Sequence, residues 1–435
     1  MYRNTRPLPL RPPWEKPHTG LRRSGMAALR NSARAIAQIH IAHVPAWSPY
    51  CKPRRNSAVR GVGLSLAAST KKDMTAKLIQ TAPAEAYGPS ERRFPLRRRE
   101  GFVPQVQRWS FQLPPDCMQM RVGFLAVQGV DDAALERSAF FRWAQDALSH
   151  AAGPTTFDHA RFTDIQGLRN HVVAAYWVDE GRFERWRSDD VLQSWWASKE
   201  RLHDTTGVWR EILRVPRERQ ESIYWPDYPA GLTSSDEVAI YPTPYCGYYG
   251  AMRDRIALAA RDPLDAPEGS VLNTQSGRAG YGERWRITPP HNLAVIRSAN
   301  TWGRMDEEQL ADYERNLQQP LQDGMAYLRE SPLPAGCASL RMQRKSDAQG
   351  RQLPEDHALG HFLSLRHMEA WAENHATHAA IFNAAISRYQ RYGKDNQLRT
   401  WHEVYVLPAG DQLFEYVHCG PQTGLLRWFD GERVG

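Results

Sequence analysis

His378 and His402 are the residues of this 435-residue chain whose surroundings point most directly to chemistry. Met368, Trp371, His375, His378 and Phe382 follow one another at spacings of 3, 4, 3 and 4. That spacing predicts a helix with one apolar stripe and two imidazoles set into it. His402 lies in Trp401-His-Glu-Val-Tyr-Val406, a strand pattern. Its period of two puts His402 opposite Glu403 and on the same face as Val404 and Val406. An imidazole exchanges protons near neutrality and binds metals. One neutral imidazole from a helix and one from a facing sheet would set an axial ligand and an acid/base group on either side of a flat metal-bearing cofactor. The competing reading for each is a satisfied core histidine, and His375 keeps it. A zinc site built from His375, His378 and His402 lacks a carboxylate or cysteine ligand at useful spacing.

The elements that must carry these side chains repeat. Ala175-Tyr-Trp-Val-Asp-Glu-Gly-Arg-Phe-Glu-Arg-Trp186 echoes Gly360-His-Phe-Leu-Ser-Leu-Arg-His-Met-Glu-Ala-Trp371. Trp209-Arg-Glu-Ile-Leu-Arg-Val-Pro216 echoes Trp401-His-Glu-Val-Tyr-Val-Leu-Pro408, sharing Trp-x-Glu and the proline. A weaker echo pairs Phe124-Leu-Ala-Val127 with Asn292-Leu-Ala-Val295, each ahead of an amphipathic helix pattern (133–148 and 306–328). Two matches in one order indicate an internal duplication. In this alignment His378 meets Gln193 and His402 meets Arg210, so both imidazoles are departures peculiar to the second half. Each half reads as strand, helix, strand, helix, strand. The fold class expected is α+β, internally duplicated ferredoxin-like (dimeric α+β barrel-like) units with the cofactor between sheet and helices. The boundaries are a basic, unstructured extension at 1–88, a first repeat at 89–261, a Gly/Pro-rich linker at 262–290 and a second repeat at 291–435. Gly277-Arg-Ala-Gly-Tyr-Gly282 resembles a phosphate loop but lacks its spacing and its Lys-Ser/Thr, and reads as part of the linker.

With 41% apolar and 24% charged residues and no apolar run near the 18 or so a span needs, the composition is that of a globular, non-membrane protein. The net charge of +8 suggests nucleic acid until it is divided by position. Fourteen Lys/Arg stand against Glu15 and Asp73 in residues 1 to 74, leaving 42 basic against 46 acidic side chains in the remainder. The body is mildly acidic, which removes the support for a polyphosphate partner. The extension reads as an Arg/Ser-rich leader or as sequence upstream of a start at Met74, the latter preferred, and Arg92 to Arg99 as a solvated arm. Five scattered cysteines without C-x-x-C argue for a reducing, cytoplasmic setting and against covalently attached haem.

Several segments, taken together, resemble the aldoxime dehydratases, haem enzymes that convert aldoximes to nitriles. They are Tyr249-Gly-Ala-Met-Arg-Asp-Arg255, Asn292-Leu-Ala-Val-Ile-Arg-Ser298, Gln322-Asp-Gly-Met325, Met368-Glu-x-Trp-Ala-Glu-Asn-His-x-Thr-His378, Trp401-His-Glu-Val404 and Phe414-Glu-Tyr-Val-x-Cys419. They span residues 100 to 430. Ala376 stands where the family usually has proline, and a few residues around 392–396 are added. The resemblance implies a non-covalent haem b, active as Fe(II), with His378 as its proximal iron ligand. It implies His402 as distal acid/base with Ser298, Arg255 and Glu221 around it, an aldoxime substrate, and a homodimer. Two other readings of the same pair are a peroxidase- or oxygenase-like enzyme and a non-catalytic haem sensor in which both histidines ligate iron.

Overall fold

The computed structural model of the chain describes residues 77–83 and 86–435. Both the unstructured character expected for residues 1 to 76 and the proposed start at Met74 fall outside the described residues. Residues expected to be unstructured up to 88 are already ordered from Lys77. Strand β1 (Lys77–Leu78) runs parallel to β8 (Ala239–Thr243), which pairs on its other side with β2 (Arg108–Gln112). Tyr87 then stands edge-on to Tyr245 at 4.6 Å.

The first half runs β3 (Gln119–Gly129), α1 (Asp132–Glu136), α2 (Phe140–Ser149), β4 (Thr156–Thr163), β5 (Arg169–Trp177), α3 (Glu180–Arg187), α4 (Asp190–Ala197) and β6 (Gly207–Pro216). After β7 (Gln220–Ile223), β8, α5 (Ala251–Arg255) and β9 (Arg284–Ile287), the pattern recurs. The second half runs β10 (Leu293–Thr301), α6 (Glu307–Tyr313), α7 (Gln319–Glu330), α8 (Pro332–Ala335), β11 (Cys337–Ser346), β12 (Gln352–Phe362), α9 (Leu365–Asn374), α10 (Ala376–Tyr392) and β13 (Arg399–Leu407). The chain ends through β14 (Leu413–Val417) and β15 (Gly431–Arg433). The single middle strand expected in each half is a hairpin, β4–β5 in the first and β11–β12 in the second. Part of the expected linker is also sheet: Arg284-Trp-Arg-Ile287 alternates as a strand should and pairs with β14 and β15.

A 12-stranded sheet in the order β15-β9-β14-β6-β3-β5-β4-β11-β12-β10-β13-β7 contains both halves. In each, the first strand lies between the third and the fourth. The halves meet where β4 pairs with β11, and they exchange edge strands. β7, which follows the first half, pairs with β13 of the second, and β14, which follows the second, pairs with β6 of the first.

The two faces of the sheet divide the repeated residues from the departures. Trp209, Trp401 and Tyr405 point into a central core with Phe124, Tyr176, Leu359 and Tyr416. The glutamates of the two Trp-x-Glu motifs share this face and carry buried polar networks. Glu211 accepts from Arg341 at 2.6 and 2.8 Å and from Tyr416 at 2.7 Å. Glu403 accepts from Tyr176 at 2.8 Å, from Tyr405 at 2.7 Å, from the Leu232 amide at 3.0 Å, and from Tyr224. The opposite face packs on helices, Val208 and Ile212 against Trp143 and Trp186, and Val404 and Val406 against Leu328, Leu365 and Met368. Here the aligned departures lie. In the first half Arg210 Nη1 donates to Gln193 Oε1 at 2.9 Å and Nε to Glu415 at 2.8 Å, filling the space between sheet and helix.

Burial by itself would raise the Glu211 carboxyl, but Arg341 and His361 outweigh it and hold it well below the usual carboxylate range. The stability it contributes is therefore present above the unfolded value of about 4.3 and lost as pH falls toward the folded value. Glu211→Ala strands the Arg341 guanidinium in the core and is expected to cost about 3–5 kcal/mol, read as a lower urea midpoint at neutral pH.

Candidate functional site

A cavity of about 590 Å³ opens between the helix-facing side of β10 and β13 and the helices α7 and α10. Its size lies within the roughly 300–1,000 Å³ of small-molecule and cofactor sites. Phe102, Met252, Leu321, Ile381, Phe382 and Ile386 make most of its wall apolar. The polar exceptions include His378, His402, Ser298 and Arg255, four of the five residues singled out in the sequence. Glu221, the fifth, is buried directly behind them.

Strand register brings two of them together. Ser298 on β10 and His402 on β13 are direct cross-strand partners, so their Cβ atoms stand about 4.5–5.5 Å apart on the cavity face. The period of two sends Glu403 to the opposite core, as the sequence pattern implies. On the other side of β13, β7 pairs Ile223 with His402 and Glu221 with Val404, which sets the Glu221 side chain diagonally beside the imidazole. His402 Nε2 lies 2.9 Å from Glu221 Oε1 and 3.1 Å from Arg255 Nη2. Arg255 Nε donates to Glu221 Oε2 at 2.6 Å, and its Nη1 donates to the Tyr245 carbonyl. Burial pushes the Glu221 carboxyl upward, but Arg255 and then His402 outweigh it, so the group stays ionised below the usual carboxylate range. Its Oε1 lies 2.9 Å from His402 Nε2 but makes no formed hydrogen bond, while Arg255 Nη2 donates to that same nitrogen. His402 Nδ1 and the Ser298 hydroxyl have no protein partner among the described residues and are left to the cavity.

Arg255 is delivered by the short helix α5, whose last three residues each anchor a different element. Arg253 pairs with Glu369 of α9 at 2.7 Å. Asp254 accepts the Arg97 and Arg98 backbone amides at 2.8 and 2.9 Å and the Tyr248 hydroxyl at 2.6 Å. The arm of residues 92–99, expected to be solvated, is therefore docked by its backbone, while Arg97 pairs with Glu373 at 3.0 Å. Gly250 begins the helix at φ 89°, a left-handed conformation, and a Cβ there would lie 2.7 Å from that of Arg97.

The helix stripe departs from the sequence reading. The predicted continuous helix breaks at His375, whose Nδ1 caps α10 by accepting the Thr377 amide at 3.3 Å and bonds the Thr377 hydroxyl at 2.8 Å. Its ring stacks on Tyr327 at 3.7 Å, so His375 is occupied by structure. His378, in the first turn of α10, faces the cavity between Trp371 and Tyr249. Burial pulls its imidazole below its ordinary value, with the Ala372 carbonyl acting weakly the other way, and its buried Nδ1 has no formed hydrogen bond. It is a neutral imidazole on an apolar wall.

No group of three His, Cys, Asp or Glu able to hold a bare metal ion exists among the described residues, so the three-histidine zinc site is not formed. The donor set fits a metal that brings its other ligands with it, as a porphyrin iron does. Sequence reasoning missed much of the wall. Phe102, Val103, Gln105, Val106, Arg108 and Cys246 line the cavity. Leu317 reaches it from a turn of π-helix, Glu314–Gln318, that precedes Pro320, and Leu321 from the start of α7. The alternation in Arg108–Gln112 was a legible strand signal, whereas the π turn has only the proline to announce it. No helix of the described residues is long and apolar enough to cross a membrane.

Known proteins match the chain in sequence and in fold. The family model of haem-containing dehydratases matches residues 124–425. The aliphatic aldoxime dehydratase of Pseudomonas chlororaphis is 33% identical over 336 residues, 76% of this chain and 94% of the relative. The phenylacetaldoxime dehydratase of Bacillus sp. (strain OxB-1) is 29% identical over 334 residues, with the same shares of the two chains. A crystal structure of aldoxime dehydratase superposes with a TM-score of 0.73 at 31% identity, covering 81% of this chain and 99% of that one. An aldoxime dehydratase in complex with butyraldoxime also gives 0.73, at 30% identity, covering 81% and 97%. Matched in sequence and in fold over most of its described length, the chain belongs to the haem-containing dehydratases, the family of the aldoxime dehydratases.

Proposed function

We propose that the chain dehydrates aldoximes, R-CH=N-OH, to nitriles and water at a non-covalent haem b that is active as Fe(II), with His378 as the proximal iron ligand. The observation that carries this reading is an apolar cavity lined by His378 from a helix and by His402 and Ser298 from the facing sheet. Held there by His378, the ferrous haem would supply a Lewis-acidic metal for the oxime nitrogen and electron density toward the N–O bond. The rest belongs to the protein. Ser298 Oγ orients the oxime oxygen. His402, whose Nε2 sits against Arg255 and Glu221, is the exchanging group: as the imidazolium it protonates the departing hydroxyl, and the neutral ring it leaves then takes the proton from the oxime carbon. No net oxidation occurs, and one water leaves. Glu221 stabilises the imidazolium, Arg255 keeps Glu221 ionised, and the apolar wall excludes bulk water.

The test is the anaerobically reduced, haem-loaded protein incubated with an aldoxime, with nitrile measured by gas chromatography. Haem-loaded protein that forms no nitrile overturns the reading, and peroxide-dependent oxidation faster than oxime turnover would replace it with a peroxidase. The same reading takes the two halves as duplicated ferredoxin-like units and the assembly as a cytoplasmic homodimer. Glu221→Gln is expected to keep the haem and lower kcat about 10–100-fold.

A further inference from the structure

The fully buried arginines among the described residues all lie within ion-pair distance of a carboxylate, as Arg255 does of Glu221 and Arg297 of Asp158. Half-buried Arg108 has none, as is also true of half-buried Arg217, Arg219 and Arg278, but of these Arg108 is the one on the cavity wall. Its guanidinium lies over the Trp225 ring at 4.7 Å, donates from Nη2 to the Thr400 carbonyl at 2.5 Å, and from Nε to the Tyr224 carbonyl at 3.4 Å. No carboxylate among the described residues reaches it, and its Nη1 has no protein partner. Burial pulls this guanidinium down to about 10, with Tyr389 and Cys246 giving only partial relief. A cation held beside an apolar cavity without an anion is costly unless the occupant supplies one.

The occupant must therefore place a negative group at this spot while presenting an apolar body to Phe382, Ile381 and Ile386. A porphyrin does so, because its two propionates project from one edge of an apolar plane. Thr400, to which Arg108 is tied, lies two residues before His402 and on the same face of β13. A carboxylate held here is therefore referenced to the strand that carries the acid/base. We propose that Arg108 binds a propionate carboxylate of the haem and so sets the cofactor's in-plane orientation relative to His402. This inference rests on the haem reading above. It adds an anion-binding residue from the segment preceding the family-matched residues.

The experiment compares haem loss from the holoprotein to excess apomyoglobin for the wild type, Arg108→Met and Arg108→Lys. Each is loaded either with haem or with its dimethyl ester, in which both propionates are uncharged. Arg108→Met is expected to lose haem on the order of tenfold faster, the effect of one charge-assisted hydrogen bond. Arg108→Lys should restore part of the difference, and wild type and Arg108→Met should lose the dimethyl ester at equal rates. Equal acceleration for haem and ester would assign Arg108 to support of Thr400 and overturn the proposal, as would an unchanged rate of haem loss in both variants. A wild-type chain that takes up no haem overturns the haem reading and this inference with it. That outcome is distinct from the failure of Arg108 alone, in which wild type and variants hold haem equally well.

Discussion

His402→Ala is expected to bind haem as the wild type does and to form nitrile at least about 100-fold more slowly, the usual contribution of a positioned acid/base. The separation of the two properties follows from the geometry. His402 sits on β13, while the proposed iron ligand sits on α10, and removal of the imidazole leaves the Arg255–Glu221 pair intact at 2.6 Å. The buried carboxylate thus keeps its counter-ion, and the fold should tolerate the change. The Soret band, and its displacement on addition of an aldoxime, should persist while turnover collapses. A wild-type rate in this variant would remove the acid/base role from His402.

The second large effect is loss of the cofactor itself. His378→Ala removes the sole histidine on the helical wall of the cavity, and the variant is expected to purify without a Soret band and to regain one when imidazole is supplied. Retention of haem with an unchanged spectrum would transfer the ligand role elsewhere. The pH dependence has a defined sign. Burial depresses the His378 pKa, so the ring stays neutral and able to ligate below the ordinary imidazole value of about 6.5. Its contribution to haem affinity is present above the depressed value and lost as pH falls through it. Acid titration of the holoprotein, followed at the Soret band, should place haem release below that of a free imidazole.

Much of this site was legible because two echoing stretches of sequence supply their own control. Trp209-x-Glu211 and Trp401-x-Glu403 repeat because both pairs face the core shared by the two halves, where large rings and buried carboxylates are hard to exchange. The positions that differ, Gln193 against His378 and Arg210 against His402, lie on the helix-facing side, where the first half is closed by the Arg210–Gln193 contact and the second is open. The period of two also sorted His402 from Glu403 correctly, since strand faces alternate whatever the surroundings.

Other features depend on what the chain meets in space. Local periodicity predicts one helix through 368–382, but the Nδ1 atom of His375 accepts the Thr377 amide, and the chain turns there. The basic arm reads as solvated because its arginines outnumber nearby acids, yet its backbone amides, which sequence does not advertise, find Asp254. Arg108 looked like any other arginine until its place on the cavity wall, without a carboxylate beside it, could be seen.

The amino-acid order alone thus determined the alternating elements, the repeat and the two imidazoles that break it, because periodicity and residue type are local properties. Tertiary structure decided which groups act on those imidazoles. Glu221 follows the first half in sequence and reaches His402 only because β7 crosses to pair with β13. Arg255 closes the trio from a helix 147 residues away from His402. Electrostatic interaction falls with distance through space, and separation along the chain carries no information about it.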